Sequence, residues 1–249
     1  MTWYEEWFNS DYYLQLYSHR DDIEAEACID LILRASQVRP AKDRQVSVLD
    51  IGAGPGRHAI DLARRGFAVT AVDISTPLLH YAHREAEREK VKVRLLQLDM
   101  RSLSFDHEFD LVVQLFSSFG YFDTIDEDMA VLRGARRALK GVGWYAIDLM
   151  NPTVLHRTLV PKNTRTLDDG TKVTEERAIE GDRVVKTITI AKGKEKHHYH
   201  ESVHLYSPEQ IEWMVREAGF LPTHWYGDYA GQPFDPEKSR RMIVICKTV

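Results

Sequence analysis

Residues 46–58, VSVLDIGAGPGRH, constrain the fold of this chain more than any other stretch. The first residues are β-formers in a run too short for a core helix, which predicts a buried strand. Three glycines follow at every second position, a pattern needed where the backbone turns sharply or lies directly against a ligand. Apolar residues then recur at helical spacing as far as Gly66, a predicted C-terminal cap. A strand, a tight glycine loop and a helix form the ligand-binding end of a doubly wound sheet.

The spacing of these glycines bears on the class of nucleotide ligand. The dinucleotide fingerprint GxGxxG requires a third glycine at the position of Arg57, whereas this chain has GxGxG. A second predicted strand, 67–73, ends in Asp73, where a carboxylate can accept hydrogen bonds from both hydroxyls of a ribose. A third predicted strand over 91–98 ends before Asp99, and a fourth follows over 109–115.

Four segments together resemble the class I S-adenosylmethionine (SAM) dependent methyltransferases in their order and spacing: VLDIGAGPGRHA, AVDIS, LQLDMRSLSF and FDLVVQLFSSFGYF. The resemblance covers residues 46–150. It implies an α/β fold with a Rossmann-like, doubly wound seven-stranded sheet whose last strand is antiparallel. It also implies SAM as cofactor and methyl transfer to a nitrogen or oxygen of a small-molecule acceptor.

The resemblance assigns roles to residues around the glycine loop. The loop would carry the amino-acid end of SAM, Asp73 the ribose, and Asp99 with the Met100 backbone the adenine. Asp99 could instead be a turn cap, and Arg101 a surface charge. The predicted cofactor-binding residues are Tyr13, Tyr17, Arg20, Gly52, Ala53, Gly54, Gly56, Asp73, Ile74, Asp99, Met100, Arg101, Gln114 and Leu115.

The aromatic-rich N-terminal segment, residues 1–20, has two interpretations. It can be an amphipathic helix that packs its aromatic side chains on the core. It can also be a lid that closes over SAM, because a sulfonium cation favours aromatic faces and Arg20 could bind the methionyl carboxylate. Both interpretations remain open from the sequence.

The pattern changes between the fifth predicted strand, 144–150, and a capping box at residues 207–210. Before that strand, a helix over 126–140 is predicted to end at Gly141. Three segments with period-2 alternation, 171–179, 183–191 and 195–206, are separated by turn signals. We therefore predict an antiparallel β insertion over the active site, residues 150–206, within a SAM-binding domain made of residues 1–149 and 207–249.

Catalytic residues are harder to predict, because the methyl group of a sulfonium is already activated and a fixed catalytic side chain is optional. An amine acceptor must first lose a proton, and Tyr121, His200 and His204 are candidates to accept it. The two histidines share one face of the last predicted strand of the insertion. No metal site is predicted, because no cysteine or acidic cluster accompanies them. The lack of an Asn/Asp-Pro-Pro-aromatic motif after the fourth strand favours a small molecule over a nucleic-acid base.

Composition limits the other partners. The net charge is −5, and no basic face for nucleic acid is evident. No apolar run approaches the ~20 residues of a membrane span, and the N-terminus does not resemble a signal peptide. Cys28 and Cys246 lie far apart, which is typical of core residues in a reducing cytoplasm. We predict a cytoplasmic monomer or homodimer without nucleic-acid or membrane partners.

Two other functions fit a fold of this kind. An NAD-dependent oxidoreductase is the first, and Arg57 at the place of the third fingerprint glycine counts against it. A non-catalytic SAM-binding module on the same fold is the second.

Overall fold

The computed structural model describes residues 2–17 and 22–249, which form helices and strands in two sheets. The helices are α1 (Trp3–Phe8), α2 (Asp11–Tyr17), α3 (Asp22–Ser36), α4 (Arg57–Arg64), α5 (Thr76–Arg88), α6 (Ile125–Ala138), α7 (Pro152–Thr158) and α8 (Pro208–Glu217). The strands are β1 (Ser47–Ile51), β2 (Ala68–Asp73), β3 (Val93–Gln97), β4 (Phe109–Gln114), β5 (Leu139–Met150), β6 (Lys162–Thr166), β7 (Lys172–Glu180), β8 (Arg183–Lys192), β9 (Glu195–His204), β10 (Phe220–Tyr226) and β11 (Arg241–Thr248).

The larger sheet has seven strands in the order β10-β11-β5-β4-β1-β2-β3. Strands β1 to β5 pair in parallel, whereas β11 runs antiparallel to both of its neighbours. This confirms the predicted doubly wound sheet with an antiparallel last strand. Because α3 and α4 cover one face and α6 and α8 the other, central strands are buried on both sides, as in β1, where Val48 and Leu49 have no exposed surface.

The smaller sheet contains four antiparallel strands in the order β6-β7-β8-β9. The sequence predicts three of them and misses β6, because its residues KNTRT are mostly exposed and carry no apolar alternation. The inner face of this sheet packs Val173, Ile188 and Ile190 against the N-terminal helices, where Trp7 and Leu16 are buried. The insertion and the N-terminal segment therefore share one small hydrophobic core.

The predicted bounds of three elements are wrong: the N-terminal segment, the helix before Gly141 and the fifth strand, which begins at Leu139 and not at residue 144. The N-terminal aromatic segment is not one helix, because α1 ends before Asn9 and α2 starts at Asp11. Helix α6 ends at Ala138, not near Gly141, because Leu139 already pairs with Phe109 as the start of β5. Among the described residues, no helix is long and apolar enough to cross a membrane.

Candidate functional site

The carboxyl ends of β1, β2 and β4 open into two adjoining cavities. The smaller holds about 560 Å³ and the larger about 1080 Å³. They share five lining residues, so they form two parts of one cleft: Phe8, Tyr13, Gly52, Gly54 and Tyr121. Ligands bind at such a place in open α/β sheets because the strand ends and the following loops leave a crevice there.

The three glycines of the loop have different surroundings. Gly52 has φ +68°, and an added Cβ would lie 2.8 Å from Cβ of Ser118. Gly54 has φ +55°, and an added Cβ would meet no atom within 4 Å, so this backbone is open to the cleft. At Gly56, the N-cap of α4, an added Cβ would lie 2.8 Å from Cβ of Ala82. The first two glycines line the cleft, whereas Gly56 allows close packing of α4 on α5.

Asp73, at the end of β2, lies in the wall of the smaller cavity. Its Oδ2 accepts a hydrogen bond from the Gly54 backbone N–H at 2.7 Å, and Oδ1 accepts one from Ser75 at 2.9 Å. Burial raises the pKa of this carboxyl, while hydrogen bonds from the backbone N–H groups of Ser75, Gly54 and Ile74 act to lower it. A carboxylate has about four acceptor positions, so Asp73 keeps acceptor capacity for a donor from a ligand.

The predicted adenine residues lie at the far end of the smaller cavity. Ile74, Asp99 and Met100 line it. Arg101 lies behind them: its Nε is 3.0 Å from Oδ2 of Asp99, and its Nη1 is 2.6 Å from Oε1 of Glu127. Burial opposes ionisation of Asp99, but the hydrogen bonds from Arg101 outweigh it and lower the pKa. Arg101 thus orients Asp99 and is neither a lining residue nor a plain surface charge.

The remaining predicted cofactor residues separate into three groups. Ala53 and Leu115 line the larger cavity, as does Tyr13. Gln114 is buried behind the wall, where Nε2 donates to the Ser118 carbonyl at 2.7 Å. Tyr17 lies beyond the lining residues and donates its hydroxyl to Glu201, and Arg20 lies outside the described part of the chain.

Two buried polar groups in the wall of the larger cavity are absent from the predicted set. Asp50 is 1% exposed, and its Oδ2 has no hydrogen-bond partner among the described residues. Burial, together with the negative charge of Asp73, raises the pKa of Asp50 to about 7. Burial lowers the pKa of His58 to about 3, so its imidazole is neutral. An acid two residues before the first glycine of the loop is the sequence signal that could have identified Asp50.

The insertion contributes Lys186, Glu201 and Val203 to the wall of the larger cavity. Oε1 of Glu201 accepts hydrogen bonds from Nε1 of Trp7 at 2.6 Å and from the hydroxyl of Tyr17 at 2.7 Å. Oε2 of Glu201 forms an ion pair with Nζ of Lys186 at 2.6 Å. Burial opposes ionisation of Glu201, but the ion pair and these hydrogen bonds lower its pKa. One carboxylate therefore joins both N-terminal helices to the insertion.

The candidate proton acceptors do not lie together. Tyr121 lines both cavities, with its ring 5.3 Å from that of Trp3. His200 is exposed, and His204 stacks on Tyr206 with Nε2 3.3 Å from Asp182. Neither histidine lines the two cavities of the cleft. Instead, β9 turns the alternate side chains, Glu201 and Val203, toward the cleft. That the histidines act on the acceptor stays a prediction.

The described ranges, 2–17 and 22–249, contain no group of three or more His, Cys, Asp and Glu residues placed to hold a metal ion.

Comparison with known proteins identifies the family. Residues 48–143 match a family described as a methyltransferase domain. The chain is 31% identical over 219 residues to the cypemycin N-terminal methyltransferase of a Streptomyces species. The aligned region covers 86% of this chain and 87% of that protein.

Two solved structures show the same fold. A SAM-dependent methyltransferase from Clostridium acetobutylicum superposes with a TM-score of 0.79 at 18% identity, covering 95% of this chain and 96% of that one. A sugar N-methyltransferase from a Streptoalloteichus species superposes with a TM-score of 0.72 at 22% identity, covering 96% of this chain and 92% of that one. Together with the glycine loop and the cleft, these findings show that the chain belongs to the class I SAM-dependent methyltransferases and has SAM as its cofactor.

Proposed function

We propose that this protein transfers the methyl group of SAM to an amine nitrogen of a small-molecule acceptor. The observation that carries the proposal is the two-part cleft, in which a cavity at Gly54 and Asp73 continues into a larger one lined by the insertion. The relative named for N-terminal methylation and the structure named as a sugar N-methyltransferase favour nitrogen over oxygen as the acceptor atom.

We assign the smaller cavity to the nucleoside of SAM. We assign the remaining acceptor capacity of Asp73 to the ribose hydroxyls, and Asp99 with the Met100 backbone to the adenine. The open backbone at Gly54 allows close approach of the amino-acid end. Asp50 is the group we assign to the ammonium of that end, because a cation nearby would offset the cost of ionising a buried carboxyl.

The larger cavity receives the acceptor. Bound SAM supplies an activated methyl group, so the protein has to aim the amine and exclude water. Phe8 and Tyr13 line both cavities and Trp3 lines the larger one, and such aromatic faces favour a cation such as the sulfonium. Tyr121, the polar aromatic at the same junction, is our candidate to orient the amine through its hydroxyl. In this arrangement residues 150–206 cover the active site.

The proposal is tested by two measurements on the full chain. Calorimetry with S-adenosylhomocysteine (SAH) measures cofactor binding, and transfer of a labelled methyl group from SAM is followed over matched amine and alcohol acceptors. We expect one SAH per chain and labelled product from amines. Binding of SAH without transfer to any acceptor would favour the non-catalytic SAM-binding module, and transfer to alcohols alone would refute the choice of nitrogen.

A further inference from the structure

Arg241, the first residue of β11, lies in the wall of the larger cavity. Nε and Nη2 of its guanidinium lie 2.8 and 2.7 Å from Oδ1 of Asp148, which has no exposed surface. Nη2 also donates to Oγ of Ser117 at 3.0 Å. Its third nitrogen, Nη1, makes no hydrogen bond to residues 2–17 or 22–249. The guanidinium is therefore fixed on two sides and has N–H donors left for a ligand.

The backbone beside Arg241 is held in an unusual conformation. Phe116 and Ser117 follow β4 with φ values of +55° and +62°, in the left-handed region that non-glycine residues rarely adopt. Asp148 holds this pair: Oδ2 accepts from the Phe116 backbone N–H at 3.0 Å, and its carbonyl accepts from the Ser117 N–H at 2.9 Å. Strained pairs of this kind persist where the surrounding structure fixes them, and they cluster at ligand sites. Both residues line the larger cavity.

Basic side chains line this wall. Lys186 is paired with Glu201, and Arg241 is paired with the buried Asp148. Arg57 lines the same cavity. Arg241 keeps N–H donors beyond its pairing with Asp148, and its planar guanidinium has the geometry that matches a carboxylate.

We propose that Arg241 binds a carboxylate of the acceptor through Nη1, so that the acceptor is an amine that also carries a carboxylate group. This inference rests on the proposed function, because it assigns the larger cavity to the acceptor. Asp148 is then a positioning residue that fixes the orientation of Arg241. The carboxylate end lies on Arg241, which leaves the amine end toward Tyr121 at the junction of the two cavities.

The first test uses the unaltered protein loaded with SAH. Amino acids are titrated beside their methyl esters, and amino uronic acids beside the corresponding amino sugars, with affinity measured by calorimetry and methyl transfer measured with SAM. The free acid should bind about 10- to 100-fold more tightly than its partner without the charge. Equal dissociation constants within the pairs would overturn the inference. If no compound is methylated, the proposed function fails, and the binding comparison alone still decides the carboxylate inference.

A substitution at Arg241 tests whether this residue is the source of the preference for the free acid. Arg241→Lys keeps a positive charge beside buried Asp148 but removes the planar fork, and the neighbouring exposed Arg240→Lys is its matched control. We expect Arg241→Lys to raise KM for the acid about 10-fold or more and KM for the ester much less, so that the preference for the acid is lost, while the Kd for SAH stays the same. Equal losses for acid and ester, or no loss for either, would contradict the assignment.

Discussion

At the scale of single residues, Asp73 connects the smaller cavity to the glycine loop. Its two carboxylate oxygens accept the Gly54 and Ser75 N–H groups, and we assign the remaining acceptor positions to the ribose. Asp73→Asn places an NH₂ group opposite one of these backbone donors and removes the charge. We expect the Kd for SAH to rise about 10- to 100-fold, measured by calorimetry. The exposed Asp106→Asn is the control, and an unchanged Kd for Asp73→Asn would refute the ribose assignment.

Asp50 gives a prediction about stability and pH. Burial and the nearby charge of Asp73 raise the pKa of Asp50 from 3.8 to about 7. Below pH 3.8, the pKa of Asp50 in the unfolded chain, the carboxyl is protonated in both the folded and the unfolded protein. Between that pH and about 7, the unfolded chain loses the proton while the folded protein keeps it, so the free energy of unfolding falls as the pH rises through this range. The side chain of the Asp50→Asn variant cannot ionise. The free energy of unfolding of this variant, relative to that of the unaltered protein, should therefore rise by about 1–4 kcal/mol between about pH 4 and about pH 8.

Urea unfolding at the two ends of that range measures the difference in the free energy of unfolding. The exposed Asp43→Asn, which should show no such pH-dependent gain, is the control. The same Asp50→Asn substitution should weaken SAH binding, because it removes the carboxylate that we assign to the ammonium. A parallel pH dependence in Asp50→Asn and the unaltered protein would show that Asp50 does not titrate in this range.

At the scale of elements, Arg183 fixes the segment that carries Tyr121. From β8, its guanidinium donates to the carbonyl oxygens of Gly120 at 3.3 Å, Tyr121 at 3.4 Å and Phe122 at 2.9 Å. The Gly120 carbonyl also accepts from the His204 backbone N–H of β9 at 2.7 Å. The position of the insertion sheet is thereby coupled to the loop between β4 and α6.

Arg183→Lys removes most of these donors while keeping the charge. We expect the free energy of unfolding to fall by about 1–3 kcal/mol. We also expect kcat for methyl transfer to fall about 10-fold or more, because Tyr121 would be displaced from the junction of the cavities. The exposed Arg133→Lys on α6 is the control. A loss of stability with kcat unchanged would mean that this anchor does not position Tyr121 for the reaction.

The sequence predicts the central elements because their signals are local. The strand, the glycine loop and the acid at Asp73 follow from residues close together in the chain. Other features depend on which parts meet in space. The alternation of side chains along a strand places His200 and His204 on one face of β9, but it does not reveal which face turns toward the cleft. In the structure the face that carries Glu201 lines the cleft. Arg241 meets Asp148 only because β11 pairs with β5, a contact that no local pattern reveals.

At the scale of the whole molecule, the N-terminal helices and the insertion sheet share one core and both line the larger cavity, and we propose that together they form one cover over the cleft. Trp7 and Leu16 share a core with Val173, Ile188 and Ile190, and Glu201 accepts the indole N–H of Trp7. Two segments far apart in sequence thus depend on each other for burial. Since the helices contribute Phe8 and Tyr13 to both cavities, a ligand in the cleft contacts this cover directly.

We therefore expect SAH to slow backbone hydrogen exchange in α1, α2, β8 and β9 together, since bound ligand stabilises the closed form of the whole cover. Trp7→Phe removes the hydrogen bond to Glu201 but keeps an aromatic ring, and it should raise the SAH dissociation rate about 3- to 10-fold. Trp213→Phe, on the half-exposed Trp213 of α8, is the control. A lid must respond to the ligand that it covers. Protection from hydrogen exchange confined to the glycine loop and β2, together with an unchanged SAH dissociation rate in Trp7→Phe, would therefore show that the N-terminal helices and the insertion sheet do not act as a lid.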